Sequence, residues 1–184
     1  MLPIGPLMKE HRKIERMVAL IAGEAERLQN DEEQEPDPDF IYDALIFMRE
    51  YADECHHGKE EDILFRELEE RDISDEHQEI MERLLADHER GRDLAGALED
   101  ATDRWEDGED AARGEIVVAL QGLAELYPDH IATEDHNFFI PVMDYFAGEE
   151  KEEMMEEMWD FDHGLFTELY EGCILQYEKG AGED

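Results

Sequence analysis

A chain of 184 residues that is 41% hydrophobic can bury one substantial core, so disorder is excluded and a single domain over residues 1–184 is expected. The net charge of -38, from 54 acidic and 16 basic residues, excludes the basic face that nucleic acid or an anionic membrane would require. Two cysteines, Cys55 and Cys173, cannot form a disulfide framework. With no membrane-length apolar run and no leader-like start at Met1–Pro6, a cytoplasmic location is expected.

The predicted elements are all helical, because Val, Ile and Thr never alternate as strands require. A first helix starts after Pro3 or Pro6 and runs to about Gln29, with Leu7, Ile14, Val18, Ile21 and Leu28 at helical spacing. Residues 30–38 form an acidic, Pro-containing loop. Asp39 caps a second helix that reaches about Glu70, and Ser74 caps a third carrying Met81, Leu84, His88, Gly91, Ala95 and Leu98. A fourth covers about Glu109 to Tyr145, where Pro128 and Pro141 should bend or interrupt it. A fifth covers about Glu149 to Glu178, with Met155, Trp159, Phe166, Tyr170 and Tyr177 on one side and a frayed tail at 180–184. Short connections between long amphipathic helices predict an all-α, antiparallel up-down-up-down four-helix bundle with an additional C-terminal helix.

One pattern occurs twice. His11 is followed by His57-Gly-Lys-Glu-Glu61-Asp62-Ile-Leu-Phe65, and His88 by His130-Ile-Ala-Thr-Glu134-Asp135-His-Asn-Phe138. In each half a lone His precedes His-x-x-x-Glu-Asp-x-x-Phe, which implies a pseudo-twofold relation between helix pairs. Residues four apart share a helix face, so each His-x-x-x-Glu aims an imidazole and a carboxylate at one point. Such mixed donors with open positions suit non-haem iron, and a carboxylate can bridge two metals.

Facing selects among the candidates. His11, His88 and His130 lie on apolar stripes and point inward, where polar groups are costly unless paired or metal-bound. At the second helix, His57 and Glu61 compete with His56 and Glu60. The downstream stripe of Leu64 and Leu68 favours His57 and Glu61 at about 100° per residue. Glu134 is preferred over Asp135 for the same reason. The expected metal ligands are therefore His11, His57, Glu61, His88, His130 and Glu134. His163 is expected as a supporting or core residue, and His77 and His136 outside the site. Tyr51 and Tyr127 are candidates to line it.

These residues resemble the hemerythrin-like family in its HHE cation-binding branch, from His11 to about Tyr177. The resemblance rests on Cys55-His-His57-Gly-Lys-Glu-Glu61-Asp-Ile-Leu-Phe65 and Asp129-His130-Ile-Ala-Thr-Glu134-Asp135. It implies a four-helix bundle around an oxo- or hydroxo-bridged pair of Fe ions, with the four His as terminal ligands and Glu61 and Glu134 bridging; Zn or Mn are the substitutes to consider. Oxygen-carrying hemerythrins place another His four residues after the third-helix His; here that residue is Arg92. Reversible oxygen carriage is thus disfavoured. The branch is similar to proteins linked with oxygen or iron sensing, iron handling, and repair of iron centres damaged by nitric oxide.

A module that binds or senses oxygen, nitric oxide or peroxide, or handles iron, is favoured over a dedicated enzyme. The competing readings are a di-iron redox enzyme, acting in peroxide reduction or repair, and a Zn-locked structural bundle. A sensor of this size would need a protein partner, and a homodimer through the fifth helix is open. Two classes lack their residues. Glu54-x-x-His57 is the sole Glu-x-x-His, so a ferritin-type site is disfavoured, and Ser74, the single Ser, reads as a cap rather than a nucleophile.

Overall fold

A computed structural model describes residues 2–161 and 166–180, with side chains of 166–169 and 180 outside the description. Helix α1 (Ile4–Asn30) buries Leu7, His11, Ile14, Val18, Ile21 and Leu28 as one stripe. Asp37, rather than Asp39, caps α2 (Pro38–Ile46): its side chain accepts from the Phe40 N–H at 3.2 Å. Pro38 then occupies a first-turn position, where its missing N–H costs nothing.

The second helical rod does not stay α-helical. It continues as π-helical turns over Phe47–His57 (π1) and Glu60–Phe65 (π2), then closes with α3 (Arg66–Glu69). Helix α4 (Asp75–Glu106) begins where the Ser74 hydroxyl accepts from the His77 N–H at 3.2 Å, as the sequence predicts. After a turn at Gly108, whose φ of 89° suits glycine, α5 (Ala112–Thr133) runs through Pro128. Departure from α geometry comes later, in a third π stretch at Glu134–Phe138 (π3), followed by α6 (Phe139–Val142), which contains Pro141, and a single 3₁₀ turn.

The expected fifth helix falls on α7 (Gly148–Phe161) and α8 (Phe166–Gly180), on either side of residues 162–165, which lie outside the described residues. In α7 the buried residues are Met154 and Met158, and Trp159 is 67% exposed, so its inward face is rotated from the predicted one. Tyr170 and Ile174 pack α8 onto the bundle. Tyr177 donates to Asp43 at 2.7 Å, and Arg16 binds Glu171 and Glu178 at 2.6 and 2.8 Å. No described helix is long and apolar enough to cross a membrane.

The architecture is all-α. Its buried apolar residues form two clusters. Leu7, Leu64, Leu84 and Phe138 belong to one; Ile14, Ala52, Ala95 and Tyr127 belong to the other. Along α1, α4, the second rod and α5–π3, the candidate His residues fall between members of the two. The functional groups therefore form a polar layer between two apolar halves.

Candidate metal centre

Two sets of four buried side chains converge in that layer. His57, Glu60, His88 and His130 each offer a donor atom within 4.8 Å of the others, and so do His11, His56, Glu60 and Glu134. Glu60 belongs to both. One of its oxygens lies 3.3 Å from His56 Nε2 and the other 3.3 Å from His88 Nε2. Glu134 mirrors it, 3.3 Å from His130 Nε2 and 3.1 Å from His11 Nε2. Each carboxylate thus presents one oxygen to each set, the disposition a bridge between two cations requires.

All five Nε2 atoms and all four of these carboxylate oxygens are buried without a hydrogen-bond partner. Such atoms are strongly disfavoured inside a protein unless something binds them. Imidazole nitrogen and carboxylate oxygen are a donor set that fits iron, so the residues present fit a pair of metal ions.

A second layer of acids holds the imidazoles. His11 Nδ1 donates to Asp135 at 2.8 Å, His56 Nδ1 to Glu10 at 2.9 Å, His57 Nδ1 to Asp53 at 3.2 Å and His88 Nδ1 to Glu61 at 2.7 Å. Asp87 lies 3.6 Å from His130 Nδ1, an ion-pair separation rather than a hydrogen bond. Because an ionised carboxylate only accepts, the proton sits on Nδ1 and Nε2 is left for a metal.

Cations complete the arrangement. Arg12 binds Asp135 and the wholly buried Lys59 binds Glu10. Arg83 lies 3.9 Å from Asp87. Arg92 binds both Asp53 and Glu61, so one guanidinium braces two imidazoles that stack 3.8 Å apart, those of His57 and His88.

Without metal, the layer behaves as a coupled ion network. Burial opposes protonation of His11, but Asp135 and Glu134 override it and push its pKa up to about 10. Glu60 and Glu61 likewise outweigh burial at His88, raising it to about 9. Burial and the neighbouring His88 charge drive His57 well below the ordinary range. Burial would raise Asp53, yet His57 and Arg92 hold it down at about 2. Metal ions would take the place of the inner protons.

The sequence of the converging region carries the same signature. A family model described as the hemerythrin HHE cation binding domain matches residues 2–140. The chain belongs to that family. The match runs from α1 into the start of α6 and stops before α7 and α8. Three curated relatives, all uncharacterized proteins, one from Mycobacterium bovis and two from strains of Mycobacterium tuberculosis, are each 28% identical over 162 residues. Those alignments cover 88% of this chain and 62% of each relative, so the chain spans under two thirds of their length. No solved structure matches.

Within this hemerythrin-family bundle, His11, His57, His88, His130 and Glu134 lie in the converging sets as expected from the sequence. Glu61 does not. Its carboxylate turns outward to His88 Nδ1 and Arg92, and Glu60 takes the central position. His56, the competitor of His57, is also inside, so the layer contains five imidazoles rather than four. The inward turn of both imidazoles goes with the π-helical rod. Its i→i+5 ladder turns about 80° per residue instead of about 100°, so His56 and His57 both fall on one inward arc. Their spacing was visible; the facing rule applied to it was that of an α-helix.

Arg92, which stands in place of a further His, supports the layer from outside. Asp135 backs His11. His136 is exposed, and His77 contacts Tyr145 at 2.8 Å, both away from the layer. Tyr51 packs on Phe47 and Tyr170, while Tyr127 stacks toward His57 at 6.2 Å. His163 lies outside the described residues.

Proposed function

We propose that this chain is a non-haem di-iron protein. His57, His88 and His130 would hold one ion and His11 and His56 the other, with Glu60 and Glu134 placed to serve both. The carrying observation is the convergence of nine unpartnered buried donor atoms, with all five imidazoles backed by carboxylates. Family membership supports the same reading.

A bound iron pair would supply a change of oxidation state and a position for a small ligand such as oxygen, nitric oxide or peroxide. The protein's part is to fix the imidazoles as Nε2 donors, keep the bridging oxygens apart from other partners, and exclude bulk water. With three imidazoles on one side and two on the other, the two-imidazole side has fewer protein donors and is the expected place for that ligand. Binding or sensing of such a ligand, or iron handling, is the role favoured. The alternatives are turnover at the same centre, in peroxide reduction or repair of damaged iron centres, and a Zn-loaded structural bundle.

Metal analysis with an optical spectrum on anaerobically purified protein tests this. About two irons per chain, with a spectrum that changes on adding oxygen or nitric oxide, is the expected result. Less than about one metal per chain after iron-replete expression would refute the metal reading. Zinc alone, with iron refused, would favour the structural alternative. Sustained peroxide consumption would favour the enzyme.

A further inference from the structure

The residues of the centre are almost wholly shut off from solvent. His11, His56, His57, Glu60, His88, His130 and Glu134 are each at most 2% exposed. A metal ion must nevertheless reach them. A cavity of about 240 Å³ opens beside the second rod and α4, and two of its lining residues, His57 and His88, belong to the centre. The cavity between α1 and α8, lined by Leu20, Phe40 and Tyr177, touches no member of the centre, and neither does the one against Pro128 and Ile131.

Three features suit this cavity to a cation. The first is size. Six waters at roughly 30 Å³ each occupy roughly 180 Å³, so a hydrated divalent ion fits within the 240 Å³. The second is charge. Exposed Glu54 stands on its wall, while the other charged groups there are committed: Arg49 to Glu99 at 2.6 and 2.7 Å, and Arg92 to Asp53 and Glu61. The third is that small residues hold the space open. Gly91 and Ala95 sit one turn apart on α4, and a Cβ at Gly91 would come within 3.3 Å of the Tyr127 hydroxyl.

We propose that this cavity is the route by which a divalent metal ion reaches the centre, arriving first at His57 and His88. The inference rests on the metal-binding reading above. Glu54 draws the ion to the mouth, since an exposed carboxylate raises the local concentration of cations. The Gly91–Ala95 floor gives it room to shed water before it meets the imidazoles. Ala95→Met puts side chain into the passage, and Glu54→Lys reverses the charge at its mouth. Neither residue is a member of the converging sets.

Stopped-flow uptake of Co²⁺ by the metal-free full chain, followed by visible absorbance on ligation, tests the route. The control is Glu125→Lys, the same charge change at an exposed position on α5. Ala95→Met and Glu54→Lys are each expected to slow uptake by about tenfold, with Glu125→Lys within about twofold of wild type. The final absorbance should be the same throughout. Release of Co²⁺ to excess chelator should slow in Ala95→Met as well, because the ion leaves by the way it came. If Ala95→Met loads at the wild-type rate, or Glu54→Lys no more slowly than Glu125→Lys, the route is wrong while the metal reading stands. If wild type gives no ligation signal, the metal reading itself falls.

Discussion

Substituting Glu60 and Glu61 separately distinguishes the α-helical facing argument from the observed geometry. Glu60→Gln keeps the shape of a fully buried side chain but removes the charge that faces both sets, 3.3 Å from His56 and 3.3 Å from His88. Glu61→Gln removes only the acceptor behind His88 Nδ1 and one of the two partners of Arg92. Loss of such outer support weakens metal binding about 10–100-fold, which is about 1.4–2.7 kcal/mol. Loss of the central bridge should exceed the top of that range. At a fixed metal concentration near 100 times the wild-type Kd, a 100-fold loss of affinity removes most of about 2.7 kcal/mol of metal-derived stability. A shift of about 2–4 °C per kcal/mol then gives roughly 5–10 °C. The assay is calorimetric Tm with and without metal for each variant, each serving as its own reference, alongside metal content after desalting. Glu60→Gln should lose nearly all of the metal-induced rise in Tm and most of its metal, and Glu61→Gln only part of each. A Glu60→Gln protein that keeps wild-type metal content, beside a Glu61→Gln protein that loses it, would refute the assignment.

Three other outcomes are expected. His56→Ala should reduce metal content toward about one ion per chain, since one side holds two imidazoles, while His136→Ala leaves it unchanged; equal contents in elemental analysis would remove His56 from the centre. Gly58→Ala should destabilise the chain by about 1–3 kcal/mol, because its Cβ would lie 2.8 Å from the Phe161 ring, at the end of α7; an unchanged Tm would mean that α7 yields without cost. Raising KCl from about 0.1 to 1 M shortens the screening length from about 10 to about 3 Å. With 38 surplus negative charges, Tm should then rise; a fall would show that the surface ion pairs outweigh the self-repulsion.

The all-α class, the Ser74 cap and the inward stripes of α1, α4 and α5 were legible because those segments keep α-helical periodicity. His11, His88 and His130 sit on such stripes, and their placement follows the pattern. The second rod broke the rule. Phe47 and Tyr51 looked rotated from His57 by roughly 80° and 120° at an α-helical step, yet all three are buried. A step of about 80° leaves them equally far from His57, so nothing in that spacing marks a π turn. The outer acids were hidden for another reason. Glu10, Asp53 and Asp87 lie among 54 acidic residues, and nothing local marks which of them back an imidazole. The rotation of α7 was illegible too, because methionines at 154, 155 and 158 fit more than one face.

The acidity of the chain bears on how the centre is built. Cations number 16 against 54 acids, yet four of them, Arg12, Lys59, Arg83 and Arg92, lie against the acids behind the imidazoles. The two carboxylates that face both sets and the five backing carboxylates, set against those four cations, leave three surplus negative charges around neutral imidazoles. Two divalent ions would slightly overbalance that surplus, whereas without the four cations they would fall short by three. The outer ring therefore brings the loaded layer near neutrality inside a strongly anionic protein. It also ties ligand geometry to the surface, since Arg12, Arg83 and Arg92 are each more than 40% exposed while the imidazoles they support indirectly are not. Lys59 differs, being fully buried behind Glu10 and His56. His56 is thus the one imidazole whose bracing lies out of reach of solvent and salt, on the side where the expected small ligand leaves the metal with fewest protein donors.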